Sequence, residues 1–193
     1  MNFEEYRNYP ICDTDIWVYV CLGGIEDKLI RKYKKILMAD VVVQEISAWN
    51  IEGYKYNYIY HNFKKYLDNN DIIEIKHTEI NEEDKCVLEV SLYQYGFENG
   101  FENLPKEEHK GEIVSAIYAD HFRIPILASN DGAFKEDGDA FEMFEDLEVY
   151  DWLKIAEILT NKAIEKVKLM IKVDTEQSNM NRNKKKFKEK QSV

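Results

Sequence analysis

The chain is poor in the residues that cross-link or punctuate a fold: three cysteines, three prolines and eight glycines in 193 residues. Cys12, Cys21 and Cys86 are odd in number and lack metal-ligand spacing, and the first two sit in apolar surroundings, as buried free thiols of a reducing compartment do. His61, His77, His109 and His121 form no zinc-like pair. Neither a disulfide scaffold nor a zinc module is therefore expected. No apolar run approaches the roughly 18 residues of a membrane span. The opening MNFEEYRNYP carries acids and lacks the apolar stretch of a secretion signal, so a cytoplasmic protein without membrane contact is expected. Positive charge is also short, with 26 Lys and Arg against 37 Asp and Glu and a net charge of −11. That balance argues against coating nucleic acid by charge alone. It does not exclude a nucleic-acid enzyme that binds metal ions, because cations invert the field locally.

What the chain does hold is apolar material, 45% of its residues, enough for the core of one domain. Its pattern alternates strands and helices. The runs Tyr9–Asp13 (YPICD), Ala39–Val43 (ADVVV), Ile124–Ser129 (IPILAS) and Leu147–Tyr150 are short and continuous, as strands buried on both faces are, with a further short strand at Asp71–Ile75. Between them, helices are predicted at Ile16–Leu22, stopped by Gly23-Gly24, and at Ile25–Leu37. Others are predicted at Glu45 to about Tyr66, with Gly53 as a candidate break, and at Asn81–Tyr95, Lys106–Phe122 and Trp152 to about Ile171. The expected fold is α/β, a three-layer α/β/α sandwich with a central, mainly parallel sheet. Residues 1–172 form one domain with a helical insertion at about 50–103. Residues 173–193 form a basic, disordered tail: Asn181 to Val193 carries six basic residues and one acid, +5, which leaves −16 on the rest of the chain.

Parallel sheets bind ligands beyond the carboxyl ends of their strands, and the informative residues stand there. Asp13 ends the first strand and is followed by Thr14 and Asp15. Asn130 and Asp131 follow IPILAS. Glu45 comes after VVV at the start of a helix, and Glu112 lies on the helix that leads into IPILAS, with Ala116 and Ala119 on its face. Four carboxylates at one edge repel one another and resist desolvation, so cations must neutralise them. Each residue alone has an ordinary explanation: Asp13 as a helix cap, Glu45 as a first-turn acid, Glu112 as one more acid in an acid-rich stretch, Asp131 as a turn residue in SNDG. Their common placement is what singles them out.

The segments ICDTDIWVYV, ADVVVQEISAW, HKGEIVSAIYADHFRIPILASNDGAF and LEVYDWLKIAEIL resemble the ordered motifs of the PIN-domain nucleases, the VapC-like ribonucleases. The resemblance runs from about Pro10 to Leu159. It implies a metal-dependent endoribonuclease with catalytic Asp13, Glu45, Glu112 and Asp131. Thr14, Asp15 and Asn130 would stand in support. Asp15 stands where that family commonly has Asn, and Glu112 where many members have Asp. The resemblance further implies an RNA substrate, an antitoxin partner and a homodimer. The chemistry agrees: Mg²⁺ or Mn²⁺ on hard carboxylate oxygens, here Asp13, Glu112 and Asp131, supplies both an activated water and charge stabilisation on a phosphodiester.

Nucleic-acid contacts are expected from Lys55, Lys64 and Lys65, which interleave with Tyr54, Tyr56, Tyr58 and Tyr60, and from Arg182, Lys184, Lys185 and Lys186. The i, i+4 spacing of those tyrosines equally suits a core face. Two rival functions share these residues. One is a haloacid-dehalogenase-type phosphatase using Asp13 and Asp15, whose pattern lacks its usual Thr or Val two residues later and its Gly-Asp-Gly. The other is a non-catalytic PIN-like binding module, which the presence of all four acids disfavours.

Overall fold

In the computed structural model the described residues are 3–97, 100–101, 110–134, 138, 140, 142–144 and 146–191, with backbone alone at 142 and 188–191. In chain order they form α1 (Phe3–Tyr6), β1 (Ile11–Cys12), α2 (Thr14–Gly23), α3 (Glu26–Tyr33), β2 (Ile36–Ala39), α4 (Asp40–Ser47), α5 (Tyr58–Asp68), β3 (Ile72–Ile75) and α6 (Glu82–Gln94). Then follow α7 (Lys110–Phe122), β4 (Ile126–Ala128), β5 (Glu148–Tyr150), α8 (Trp152–Leu159) and α9 (Ala163–Gln191).

The strands make one sheet in the order β3-β2-β1-β4-β5. Every neighbouring pair is parallel, with Ile11 opposite Leu37 on one side and Leu127 on the other. Successive side chains of a strand point to opposite faces. All four residues of β2 and both of β1 are buried, so both faces are covered. α7 lies across β1, β2 and β4 and packs on α6, while α2 packs with α3, α5 and α9. The chain leaves β1 toward β2 and β3, then returns past β1 to β4. Right-handed crossovers in opposite directions put their helices on opposite faces. The expected α/β class and parallel sheet are therefore present.

Helix α2 is buried on nearly all sides. Trp17 stands edge-on to Phe63 and Tyr66 at 6.4 and 5.8 Å between centroids. The helix stops at Gly24, whose φ of 65° is the left-handed region, with its N–H donating to Cys21 O at 3.1 Å.

Four expectations are corrected. The strand expected at ADVVV is ILMA, Ile36–Ala39. Asp40 closes it, and its Oδ1 accepts from the Val41 N–H at 3.0 Å, so the three valines open a helix despite their β-branching. Glu45 therefore sits inside α4, not at its start. The helical stretch expected over 45–66 is divided at its candidate break: α4 and α5 are separated by turns that include Gly53 at φ 75°. The insertion at 50–103 is not only helical: β3 within it pairs with β2 along its whole length.

The fourth correction concerns the tail. Where a disordered end was expected, α9 continues to Gln191. Leu169, Val173 and Met180 are buried along one side of it, and Phe187 packs against the core. Its ring lies 5.4 Å from Tyr54. The start expected for α7 at 106–109 lies outside the described residues.

Candidate carboxylate cleft

Between β1 and β4 the chain departs in opposite directions, which opens a crevice at their carboxyl ends. Asp13 and Ser129 to Asp131 lie on its two sides. The Asp13 N–H donates to Ala128 O at 2.9 Å, and the Ser129 N–H to Tyr150 O at 3.1 Å, so ladder bonds continue into the crevice.

Asp13 is 1% exposed. Its Oδ1 accepts from the Thr14 N–H at 2.5 Å and its Oδ2 from Ser129 Oγ at 3.1 Å. Asp13 is thus the cap of α2 and a cleft residue at once. Ser129 Oγ also accepts from the Asp131 N–H at 3.2 Å, so one hydroxyl ties the two strand ends together. Asp131 Oδ1 accepts from the Ala133 N–H at 2.7 Å. Asn130 Oδ1 accepts from the Trp152 N–H at 3.4 Å, at the start of α8. From α4, Glu45 accepts a hydrogen bond from Thr14 Oγ1. Its carboxylate lies against Gly111, where a Cβ would stand 2.8 Å from Oε1 and 3.0 Å from Oε2. With any Cβ at 111, the Glu45 carboxylate would have to give way. Glu112, next in that helix, is half-buried, and Lys110 before it is buried, its ammonium 5.7 Å from the Phe97 ring.

The acids act on one another. Burial pushes the Asp13 carboxyl well above the usual carboxylate range, and Glu112, Asp15 and Glu45 push it further, against the opposing Thr14 N–H. Asp15, exposed at the rim but crowded by neighbouring atoms, is raised by partial desolvation and then by Asp131. Glu45 is raised by burial and by Asp15, against the Thr14 hydroxyl. Asp13, Asp15, Glu45, Glu112 and Asp131 are therefore one electrostatic group, as like charges in low dielectric must be. Their oxygens are hard donors of the kind that Mg²⁺ and Mn²⁺ take. As the side chains stand, no three His, Cys, Asp or Glu among the described residues are gathered closely enough to enclose an ion.

The structure thus brings together all four acids singled out in the sequence, with Thr14, Asp15 and Asn130 beside them. Ser129 and Lys110 were missed. The first is the last letter of a strand motif and the second is one lysine among many, so only the fold distinguishes them.

The lysines expected at nucleic acid are engaged locally. Lys55 Nζ is 3.3 Å from Tyr56 Oη, Lys64 pairs with Asp68 at 2.7 Å, and Lys65 lies 4.8 Å over the Tyr66 ring. Of the interleaved tyrosines, Tyr54 and Tyr56 are buried and serve the core, while Tyr58 and Tyr60 are partly exposed. A depression of about 430 Å³ beside Arg123, Ile124 and Leu147 lies before β4 and β5, at the sheet end opposite the acids.

No family model matches the chain, and no curated protein matches it. Among solved structures, it is similar to that of VapBC2 from Rickettsia felis bound to a DNA fragment from their promoter. The identity is 14% and the TM-score 0.45, over 75% of this chain and 98% of that one. No helix among the described residues is long and apolar enough to cross a membrane.

Proposed function

We propose that the chain is a metal-dependent phosphodiester hydrolase of the PIN type, an endoribonuclease whose centre is the cleft between β1 and β4. The observation that carries this function is the buried Asp13 raised by Glu112, Asp15 and Glu45, with Asp131 beside Asp15, at the switch point of a parallel sheet. Burying Asp13 among like charges costs stability, and a fold that serves only as a scaffold gains nothing from it. Asp13, Glu112 and Asp131 would hold Mg²⁺ or Mn²⁺, with Glu45 at a second ion or on the attacking water. A bound ion of this kind supplies Lewis acidity at the phosphate and at the water.

The protein's own groups supply the rest. Ser129 fixes Asp13 and the backbone of Asp131 in one frame. Thr14 holds the Glu45 carboxylate toward the cleft, where its raised proton affinity suits it to take a proton from water. An antitoxin and a second copy of the chain are the partners that go with this function. The exposed Val87, Val90 and Tyr93 along one side of α6 are an apolar surface of the kind that partners cover.

The test is cleavage of a labelled RNA by the chelator-treated chain. Cleavage should need added Mg²⁺ or Mn²⁺, and Asp13→Asn should lower it about a hundredfold or more, the scale on which one charge-stabilising group acts. Undiminished cleavage by that variant, or hydrolysis of a phosphate monoester in place of RNA, would sink the proposal.

A further inference from the structure

We propose that the carboxyl-terminal end of α9 is a fixed rail for the phosphates of the substrate strand, with Arg182, Lys185 and Lys186 as its cations; this rests on the nuclease function above. The helix runs antiparallel to α2. Lys172 Nζ donates to Gly23 O at 2.7 Å near the foot of α2, and Gln177 Nε2 donates to Tyr19 Oη at 3.1 Å halfway up. With a rise of about 1.5 Å per residue, Thr14 at the cleft stands about 7.5 Å beyond Tyr19, and Lys185 about 12 Å beyond Gln177. The end of α9 therefore rises past the level of the carboxylates.

It is seated there. Met180 is buried, Lys184 Nζ lies 5.7 Å from the Trp49 ring, and Phe187 meets Tyr54. Trp49 and Tyr54 belong to the segment that follows α4, the helix that carries Glu45, and their rings are 6.4 Å apart. Residues 180, 184 and 187 share the inward face by helical spacing, so 182, 185 and 186 share the outward one. Those three are exposed. The Arg182 guanidinium is steered by Ser178 O and Asn179 Oδ1, both at 3.2 Å.

One flank joins rail to cleft. Asp174, Ser178, Asn181 and Lys185 follow one another at i, i+4, i+7 and i+11. Asp174 lies within electrostatic reach of the Tyr19 hydroxyl, which also faces Asp15 and Asn130. A strand with one phosphate at the acids thus has the next ones beside Lys185. On a chain whose other residues sum to −16, this +5 segment is where a polyanion finds attraction. Lys184 faces Trp49 and is not one of the rail's cations.

The experiment measures the affinity of a fluorescein-labelled 20-nucleotide uridine oligomer at several salt concentrations, in chelator, for four forms of the full chain: parent, Arg182→Gln/Lys185→Gln/Lys186→Gln, Phe187→Ala and Phe187→Leu. The triple variant should bind at least tenfold more weakly, its slope of log K against log salt smaller by about 2, three single-strand contacts' worth. Phe187→Ala keeps every charge. It should bind several-fold more weakly and exchange the amides of 180–187 faster, and Phe187→Leu should restore both. An unchanged slope in the triple variant, or no RNA binding by the parent, overturns the rail. Parent-like binding by Phe187→Ala despite faster exchange also overturns it, since the charges would then act as a loose arm. Asp13→Asn separates the two proposals: if it still cleaves, the cleft assignment fails while the slopes still judge the rail.

Discussion

A single methyl group at Gly111 probes how much the cleft depends on Glu45. Gly111→Ala would place a Cβ within 2.8 Å of Glu45 Oε1, so that the carboxylate must swing off Thr14. The atom displaced is the end of a flexible side chain, and alanine favours a helix over glycine by about 0.5–1 kcal/mol. Stability should therefore stay within about 1 kcal/mol of the parent by thermal melting while cleavage falls about 10-fold to 100-fold, the usual effect of disturbing a group that orients a site. Asp13 offers a second test, by pH. Asp13, Asp15 and Glu45 are all raised above their ordinary values. Unfolded, they lose their protons near pH 4, so the folded chain holds protons that the unfolded chain has released. Their contribution to stability is full below about pH 4 and is lost as pH rises through their raised folded values. Melted metal-free at increasing pH, Asp13→Asn should gain steadily on the parent and be the more stable at pH 7. An equal gap at every pH would remove Asp13 from the group. Asp13 and Asp131 are legible in the sequence because each stands at or just beyond the carboxyl end of a short apolar run, where a buried strand of a parallel sheet presents its functional residues. Ser129 is not, since a serine's role depends on which two strand ends the sheet brings to it.

Among the elements, α2 sets the cleft's geometry, because its first residue holds Glu45 and its stop determines where the chain turns to α3. Gly24→Ala forces an L side chain to φ 65° and should cost about 1–2 kcal/mol in denaturant titrations, with little effect on the cleft. Most elements could be read from apolar period and length. The register of β2 could not. ILMA and VVV form one apolar run broken only by Asp40, which divides strand from helix; its Oδ1 accepts from Val41 N–H and its Oδ2 accepts from His77 N–H at 2.9 Å. The partner of that second bond is 37 residues away, so no local pattern contains it. The end of α9 was hidden differently. Its buried side carries Leu169, Val173, Met180 and Phe187, about one apolar residue in two turns, too sparse to register among lysines and asparagines. What holds it is the face of α2 and the aromatic residues near Trp49, and only folding supplies them.

At the scale of the whole molecule, the question is how a chain of net charge −11 tolerates a cluster of acids with Asp13 buried among them. A cation that binds the folded chain alone stabilises it by mass action, about 2.7 kcal/mol at a hundred times its dissociation constant. For a domain of this size that is roughly 5–10 °C in melting temperature. Mg²⁺ or Mn²⁺ should raise the melting point by that amount over sodium at equal ionic strength, chelator should reverse it, and Asp13→Asn should abolish it. The strand order has a further consequence, for biosynthesis. One wall of the cleft comes from residues 11–47 and the other from residues 110–131, and β4 can pair with β1 only after most of the chain exists. A nascent chain halted before Asp131 has no cleft, and one halted before Arg182 has no rail. On the proposed function, cleavage of RNA would therefore begin only when about the last third of the chain has been added, after most of the synthesis that it could disturb.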